Sequence, residues 1–298
     1  MIVTHDERER HRPDTLLPPD PEFADSYAAA VERGRLAAAN ASVTFVAICR
    51  NAMPWLHQTL GLVEETGSLF KSWSAFIFEN DSTDGTKDVL AAWHDGTQRY
   101  ASIGDNGRPH LNFTTDPMRT HALAEYRATC QEFVKSRDPV DYVIVFDTDP
   151  WGGWSLPGVL HSVAWLEAEA DWYGLAAYSW CEWGRPMFSA PTPAHYDAFA
   201  ARKNHWRQRD QWWFHLWHPP VGGSPVEFNS AFGQLAIYRA SSFVGGTYTG
   251  EDCEHVCFHR TIQRRATLDG DRPFRFGVNP AMRVVSFWTP DEVKRAEG

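Results

Sequence analysis

Hydrophobic positions along this chain follow one pattern up to Phe146 and another after Trp151. In the first part, short apolar runs stop abruptly at polar residues and give way to helical spacing. Val43 to Ile48 ends in Cys49-Arg50-Asn51 and precedes a helical stretch from Pro54 to about Thr66. Ala75 to Phe78 ends in Glu79-Asn80-Asp81-Ser82-Thr83-Asp84-Gly85-Thr86 and leads into a helix through Val89, Leu90 and Trp93. A helical pattern from His121 to Lys135 then delivers the chain to Tyr142–Phe146, the most strand-like run, which ends on Asp147-Thr148-Asp149. Repeated strands that stop at polar loops and pass into helices predict βα units in a parallel sheet. Ligands of such sheets bind at the carboxyl ends of the strands.

Residues 1–20 are charged and proline-rich, and predict a flexible or surface-hugging arm. Phe23, Tyr27, Val31 and Leu36 recur at helical spacing and predict a packing helix ahead of the core. Beyond Trp151 the strand–helix alternation is lost until Phe228–Tyr238. The stretch Pro193–Pro220, with Trp206, Trp212, Trp213 and Trp217, reads as an insert or lid over the active face.

Composition narrows the partners. The chain has 298 residues, 43% hydrophobic and 22% charged, a globular mixture. A net charge of −10 has the wrong sign for binding a phosphate backbone, so nucleic acid is a disfavoured partner. Five cysteines without disulfide-scaffold spacing, no signal-like apolar segment at the amino terminus and no apolar run of spanning length predict a cytoplasmic protein without a membrane span.

Three clusters can carry chemistry. Asp147 and Asp149, one residue apart at a strand end, can converge on a hard divalent cation, although such a tripeptide is also an ordinary turn before Pro150. Glu79–Thr86 is either a capped βα turn or a set of acceptors for a nucleotide, and the two roles are compatible. In Gly250–Arg260, a helix starting near Glu251 puts Asp252, His255 and His259 on one face and Cys253, Val256 and Cys257 on the inner one. The alternating cysteines and histidines there do not have zinc-site spacing. Phe228–Gln234 carries small residues and a glycine, which fits a bulge or a close backbone approach.

The ordered runs Val43–Asn51 (VTFVAICRN), Glu79–Thr86 (ENDSTDGT), Ala124–Cys130 (AEYRATC) and Val143–Asp149 (VIVFDTD) resemble the nucleotide-binding half of GT-A fold glycosyltransferases. With Phe228–Tyr238 (FNSAFGQLAIY) and Gly250–Val256 (GEDCEHV), they are similar to polysaccharide-type, capsule mannosyltransferase-like enzymes over about Val43 to Arg260. Where many relatives carry paired aspartates, this chain has Glu79-Asn80-Asp81. The resemblance implies an α/β fold with a GT-A-like, Rossmann-type mixed sheet flanked by helices and a Trp-rich insert or lid. Residues 1–40 then form an arm and packing helix. Residues 41–298 form a single catalytic domain, divided into a nucleotide-binding half (41–150) and an acceptor-binding half (151–298).

By the same resemblance, Ala47, Cys49, Arg50, Glu79, Asn80 and Asp81 hold the nucleoside, while Arg127 and Asp147 meet the donor. Asp147 and Asp149 bind Mn2+ or Mg2+, with His255 as a further ligand. Asp252, then Glu251, is the expected base, since inverting sugar transfer needs a carboxylate to take the acceptor proton. Trp180, Trp183, Asn229 and Ser230 are expected to contact acceptor or sugar. The expected activity is transfer of a hexose from a UDP- or GDP-sugar to a carbohydrate or other hydroxyl acceptor. The alternatives are a non-catalytic carbohydrate-binding protein and, ranked lower for want of a Gly-rich phosphate loop, a nucleotidyltransferase.

Overall fold

A computed structural model describes residues 3–111, 114, 116–184, 190–204, 206, 212–269 and 274–297. Two short helices, α1 (His5–Arg10) and α2 (Pro13–Leu16), precede the long helix α3 (Ala24–Ala38). The first half of the sheet follows as β1 (Ser42–Cys49), α4 (Leu56–Gly67), β2 (Ser72–Asn80), α5 (Thr86–Trp93), β3 (Arg99–Gly104), α6 (Pro117–Lys135) and β4 (Tyr142–Asp147). The second half contains β5 (Gly153–Trp154), α7 (Leu156–Ala168), β6 (Trp172–Trp183), β7 (Thr192–His195), α8 (Trp212–His215) and β8 (Val226–Glu227). It ends with β9 (Leu235–Arg239), α9 (Ala240–Gly245), α10 (Glu254–Asp269), β10 (Arg275–Val285) and α11 (Asp291–Glu297).

The described strands form one sheet in the order β3-β2-β1-β4-β9-β6-β10-β5, with β7 on β6 and β8 on β10. β3, β2, β1 and β4 run parallel, and β9 is antiparallel to both β4 and β6. The expected α/β class, a mixed sheet flanked by helices, is the one observed.

Alternation along the strands explains the two layers, because successive side chains point to opposite faces. Phe45, Ala47, Ile144 and Phe146 pack with α4 and α7 through Leu56, Leu60, Val159 and Val163. Val46, Val143 and Val145 pack with α6 and α10 through Ala124, Val134, Val256 and Ile262. Strands covered on both faces read as continuous apolar runs, and β4 is buried throughout until Asp147.

Register sets the site. Ile48 pairs with Asp147 and Cys49 with Glu79, so β1, β2 and β4 end along one edge. α6 starts earlier than expected, because Asp116 caps it by accepting from Met118 N at 2.7 Å and Pro117 occupies the first turn.

The structure selects between two alternatives, changes one expectation and adds one strand. The arm is surface-hugging and fixed rather than flexible: His11 stacks on Trp288 at 4.2 Å, and Asp14 pairs at 2.7 Å with Arg283, which is fully buried. The alternation of strands does not lapse after Trp151, since β6 and β10 are the longest strands described. The edge strand β3 is present although its pattern is mostly polar or half-exposed. Among the described residues, no helix is long and apolar enough to cross a membrane.

Candidate functional site

β4 delivers Asp147 and Asp149 to a cavity of about 550 Å3, which both residues line together with Thr148. The turn is fastened from both sides of the sheet. Thr59 Oγ1 donates to Thr148 O at 3.0 Å, and Asp147 N donates to Gln234 O at 2.9 Å. Arg127, buried on α6, donates to Asp147 Oδ1 at 2.9 Å and to Phe146 O at 3.5 Å.

Among the described residues, the side-chain hydrogen bond to Asp149 is a long one, from Gln234 Nε2 at 3.5 Å, beside a contact with its own backbone N–H. Its side chain is open to the cavity, while enclosing protein and then the Asp147 charge hold its carboxyl above the usual range. Asp197 is similar: burial first and the Asp147 charge second raise its carboxyl to about 7. Glu254, buried at the start of α10, is also raised by burial, with Arg127 opposing. Asp147 and Glu254 thus face the buried Arg127 guanidinium, while Asp149 and Asp197 stand close enough to Asp147 to feel its charge. This surplus of negative charge, with Asp147 and Asp149 at the cavity surface, fits a hard divalent cation with oxygen ligands. Among the described residues, no three His, Cys, Asp or Glu side chains converge as a metal site, so any further ligand oxygens come from elsewhere.

The rest of the cavity is built from the neighbouring strand ends, α6 and the segment after β3. Cys49, Arg50 and Asn51 line it from β1, Asn80 from β2, Arg119, His121, Glu125 and Tyr126 from α6, and Arg108 to Leu111 from the loop. Of the expected nucleoside residues, Cys49, Arg50 and Asn80 face this space. Cys49 is a buried thiol that burial pushes up to about 12, so it acts as wall and not as nucleophile. Ala47 lies one turn of the pleat deeper and is fully buried, its carbonyl accepting from Cys130 Sγ at 3.4 Å. Glu79 is also turned inward, where Oε1 accepts from Ser82 N at 2.8 Å. Asp81 holds backbone N–H groups of the loop.

The Gly250–Arg260 run is placed differently from expectation. α10 begins at Glu254, not near Glu251. Asp252 stands before it with both oxygens on Arg202, at 2.9 and 3.0 Å, and Arg202 is only 1% exposed. A carboxylate whose two oxygens both accept from one nitrogen of a buried guanidinium is already engaged by an internal partner. Glu251 is exposed and accepts from Cys257 Sγ at 3.7 Å. The His255 ring is buried against Phe232 with centroids 3.9 Å apart, and burial keeps it neutral, far below its ordinary range. It does not join Asp147 and Asp149 in a cluster. His259 is fully buried between Ser230 Oγ (2.8 Å) and Tyr238 Oη (2.9 Å), so Ser230 serves the core. Asn229 N donates to Arg202 O at 2.7 Å, which ties that loop to the same ion pair.

The tryptophans divide likewise. Trp180 is buried beside His11, with ring centroids 6.1 Å apart, and is a core residue. Trp183 is half-buried and meets Phe287 edge-on at 5.1 Å. Trp217 packs on Phe228 at 5.4 Å, and Trp206 Nε1 donates to Gln263 at 2.8 Å. Of the proposed lid, residues 205 and 207–211 and the Trp212 side chain lie outside the described residues.

Several wall residues had no signal in the sequence. Arg108, Arg119, His121, Tyr196 and Gln234 reach the cavity from a loop, a helix end and a second-half turn. Asp197 and Gln234 have positive φ of 71° and 64°, which single-sequence patterning does not reveal at non-glycine residues.

No protein-family model matches the sequence, and no curated protein matches it. Among solved structures, the chain is similar to mannosyltransferase PcManGT from Pyrobaculum calidifontis in complex with GDP-Man and Mn2+. That similarity has a TM-score of 0.48 and 12% identity over 89% of this chain and 67% of that one. It is also similar to S. aureus TarS 1-349 in complex with UDP, with a TM-score of 0.46 and 12% identity over 83% of this chain and 60% of that one. A third is glucosyl-3-phosphoglycerate synthase from Mycobacterium tuberculosis in complex with Mn2+, uridine-diphosphate and phosphoglyceric acid, with a TM-score of 0.42 and 11% identity over 84% and 72%. This chain spans about three fifths of the TarS segment. At such values the likeness assigns no activity, and the chain's own residues must carry it.

Proposed function

We propose that this chain is a glycosyltransferase that moves a hexose from a nucleotide-sugar donor to an acceptor hydroxyl, with Mg2+ or Mn2+ held by Asp147 and Asp149. One observation carries the reading: two carboxylates at the end of β4, one of them held among the described side chains by a single long hydrogen bond, open onto a cavity also lined by Arg50, Arg108 and Arg119. Carboxylates with arginines around one space suit a metal-bound anion better than either a bare cation or a bare phosphate. When bound there, the ion neutralises charge that develops on the leaving diphosphate.

The protein's own residues supply placement. Arg127 fixes one oxygen of Asp147, and Gln234 steadies Asp149. Asn80 and Arg50, at adjacent strand ends, stand where a nucleoside can lie, and Tyr196 lines the same cavity within reach of the Asp149 and Asp147 charges. Asp252 is not assigned the acceptor proton, because Arg202 occupies its carboxylate. Inversion at the sugar, which depended on that base, is not part of the proposal.

Thermal shift against a panel of UDP- and GDP-sugars, with and without Mn2+, tests it, because ligand binding to the native state raises its stability. The expected result is Mn2+-dependent stabilisation by at least one donor that disappears in Asp149→Ala. Stabilisation by free sugars alone, indifferent to nucleotide and metal, favours a carbohydrate-binding protein. Release of pyrophosphate instead of a nucleoside diphosphate favours a nucleotidyltransferase.

A further inference from the structure

Asp81 follows β2 in the left-handed region, with φ 58°. Its backbone N–H donates to Gly104 O at 3.0 Å. Its Oδ1 accepts from Gly107 N at 2.8 Å, and its Oδ2 accepts from Arg108 N at 3.4 Å and from Asn80 Nδ2 at 2.9 Å. Arg50, at the end of the adjacent strand, lies 4.0 Å from Asp81 Oδ2 and donates to Pro109 O at 3.3 Å. Two strand ends therefore hold residues 107–109 through backbone atoms. The same segment is tied outward by an ion pair between Lys87 and Asp105 and another between Arg108 and Glu125. The Arg108 guanidinium also lies 5.4 Å from the Tyr126 ring centroid.

Burial decides what remains for a ligand. The Asp81 side chain is only 11% exposed, and Asp81 does not line the cavity, whereas Asn80, Arg108, Pro109, His110 and Leu111 do. A carboxylate offers about four lone-pair sites, and three N–H donors already address this one.

We propose that Asp81 is a positioning residue that never touches the nucleotide: its carboxylate holds the strap 107–109 so that Arg108 to Leu111 form a wall against which any donor's nucleoside lies, without discriminating its base. This rests on the cavity being the donor site. The wall is common to every nucleotide that enters, so loss of Asp81 weakens all of them by one factor. A carboxylate that reads a base weakens one nucleotide selectively, because base edges differ in their donors and acceptors. Gly107 gives a second handle. Its φ of 64° disfavours any L side chain, yet nothing lies within 4 Å of where a Cβ would stand, so Gly107→Ala loosens the strap without a clash at β2.

The test uses the full chain and two readouts. Amide hydrogen exchange of 105–111 is measured without ligand, and UDP and GDP affinities are measured by calorimetry with Mn2+ present. Asp81→Ala and Gly107→Ala are expected to speed exchange at residues 107 and 108. Asp81→Ala is expected to weaken both nucleotides equally, by about tenfold, the effect of losing hydrogen bonds to a charged group. Asp81→Asn, which keeps one acceptor oxygen for Gly107 N, recovers most of the affinity. Unchanged exchange in both Asp81→Ala and Gly107→Ala, or a loss confined to one nucleotide, overturns the proposal. If the native protein binds neither nucleotide, the donor reading of the cavity fails, and so does the nucleoside wall, while the exchange result still decides whether Asp81 holds the strap.

Discussion

The end of β4 and the start of α10 both present acidic residues beside a conspicuous motif, yet they end up in opposite circumstances. Asp149 leaves a buried strand at the sheet edge and meets open space, held among the described side chains by a single long hydrogen bond. Asp252 precedes a helix whose first two turns are buried, and its charge is balanced internally by Arg202. A strand end in a parallel sheet must emerge between the layers, so polar residues there face a crevice. A helix start packed under two other elements must instead satisfy its polar groups within the protein. An acidic residue in a motif is thus available for chemistry only if no inward partner has claimed it.

The largest test of this contrast is Arg202→Met, which leaves Asp252 without its buried partner. Removing one side of a fully buried pair costs about 3–5 kcal/mol; because the Asp252 side chain is a quarter exposed and Arg260 lies 4.0 Å from it, urea unfolding should show a loss near the lower end of that range. Unchanged stability together with abolished turnover returns Asp252 to the chemistry. Ser230→Ala comes next, since it strips the fully buried His259 of its Nδ1 partner. A buried group left unsatisfied costs about 1–3 kcal/mol, so the midpoint should fall while donor binding holds; the reverse outcome makes Ser230 a sugar contact.

The smallest effect is a slope. Asp197 keeps its proton in the folded state up to about 7, whereas the unfolded chain releases it near the ordinary carboxylate value. The fold binds more protons over that window, so stability declines as pH rises from about 4 to 7 and levels off above. Asp197→Asn should flatten that decline, as measured by unfolding at successive pH values. An unaltered slope places Asp197 in a more solvated setting than its partners indicate.

The half of the sheet that ends at the cavity was legible because β1, β2 and β4 are covered on both faces, which writes them as apolar runs ending at its rim. β10 was not legible. It carries Asn279, Pro280 and Arg283 in its interior, with a register shift between Asn279 and Arg283. Arg283 is tolerated there because Asp14, Leu17 O and Tyr27 come from the amino-terminal segment to meet it, together with Ser155 Oγ and Ala281 O. The internal partners of Asp81 and Asp252 were hidden for the same reason. Their partners lie at residues 107 and 202, and the choice between ligand and internal donor is made by tertiary contacts that local spacing does not encode.

The most direct test of the account is a Mn2+ titration followed by electron paramagnetic resonance, with UDP present, on the native protein and on Asp149→Asn. The account predicts that the native protein depletes the free Mn2+ signal with one ion per chain and that the variant leaves it nearly intact. Equal depletion by both proteins would contradict it, because the cation would then be held without the carboxylate that β4 carries into the cavity.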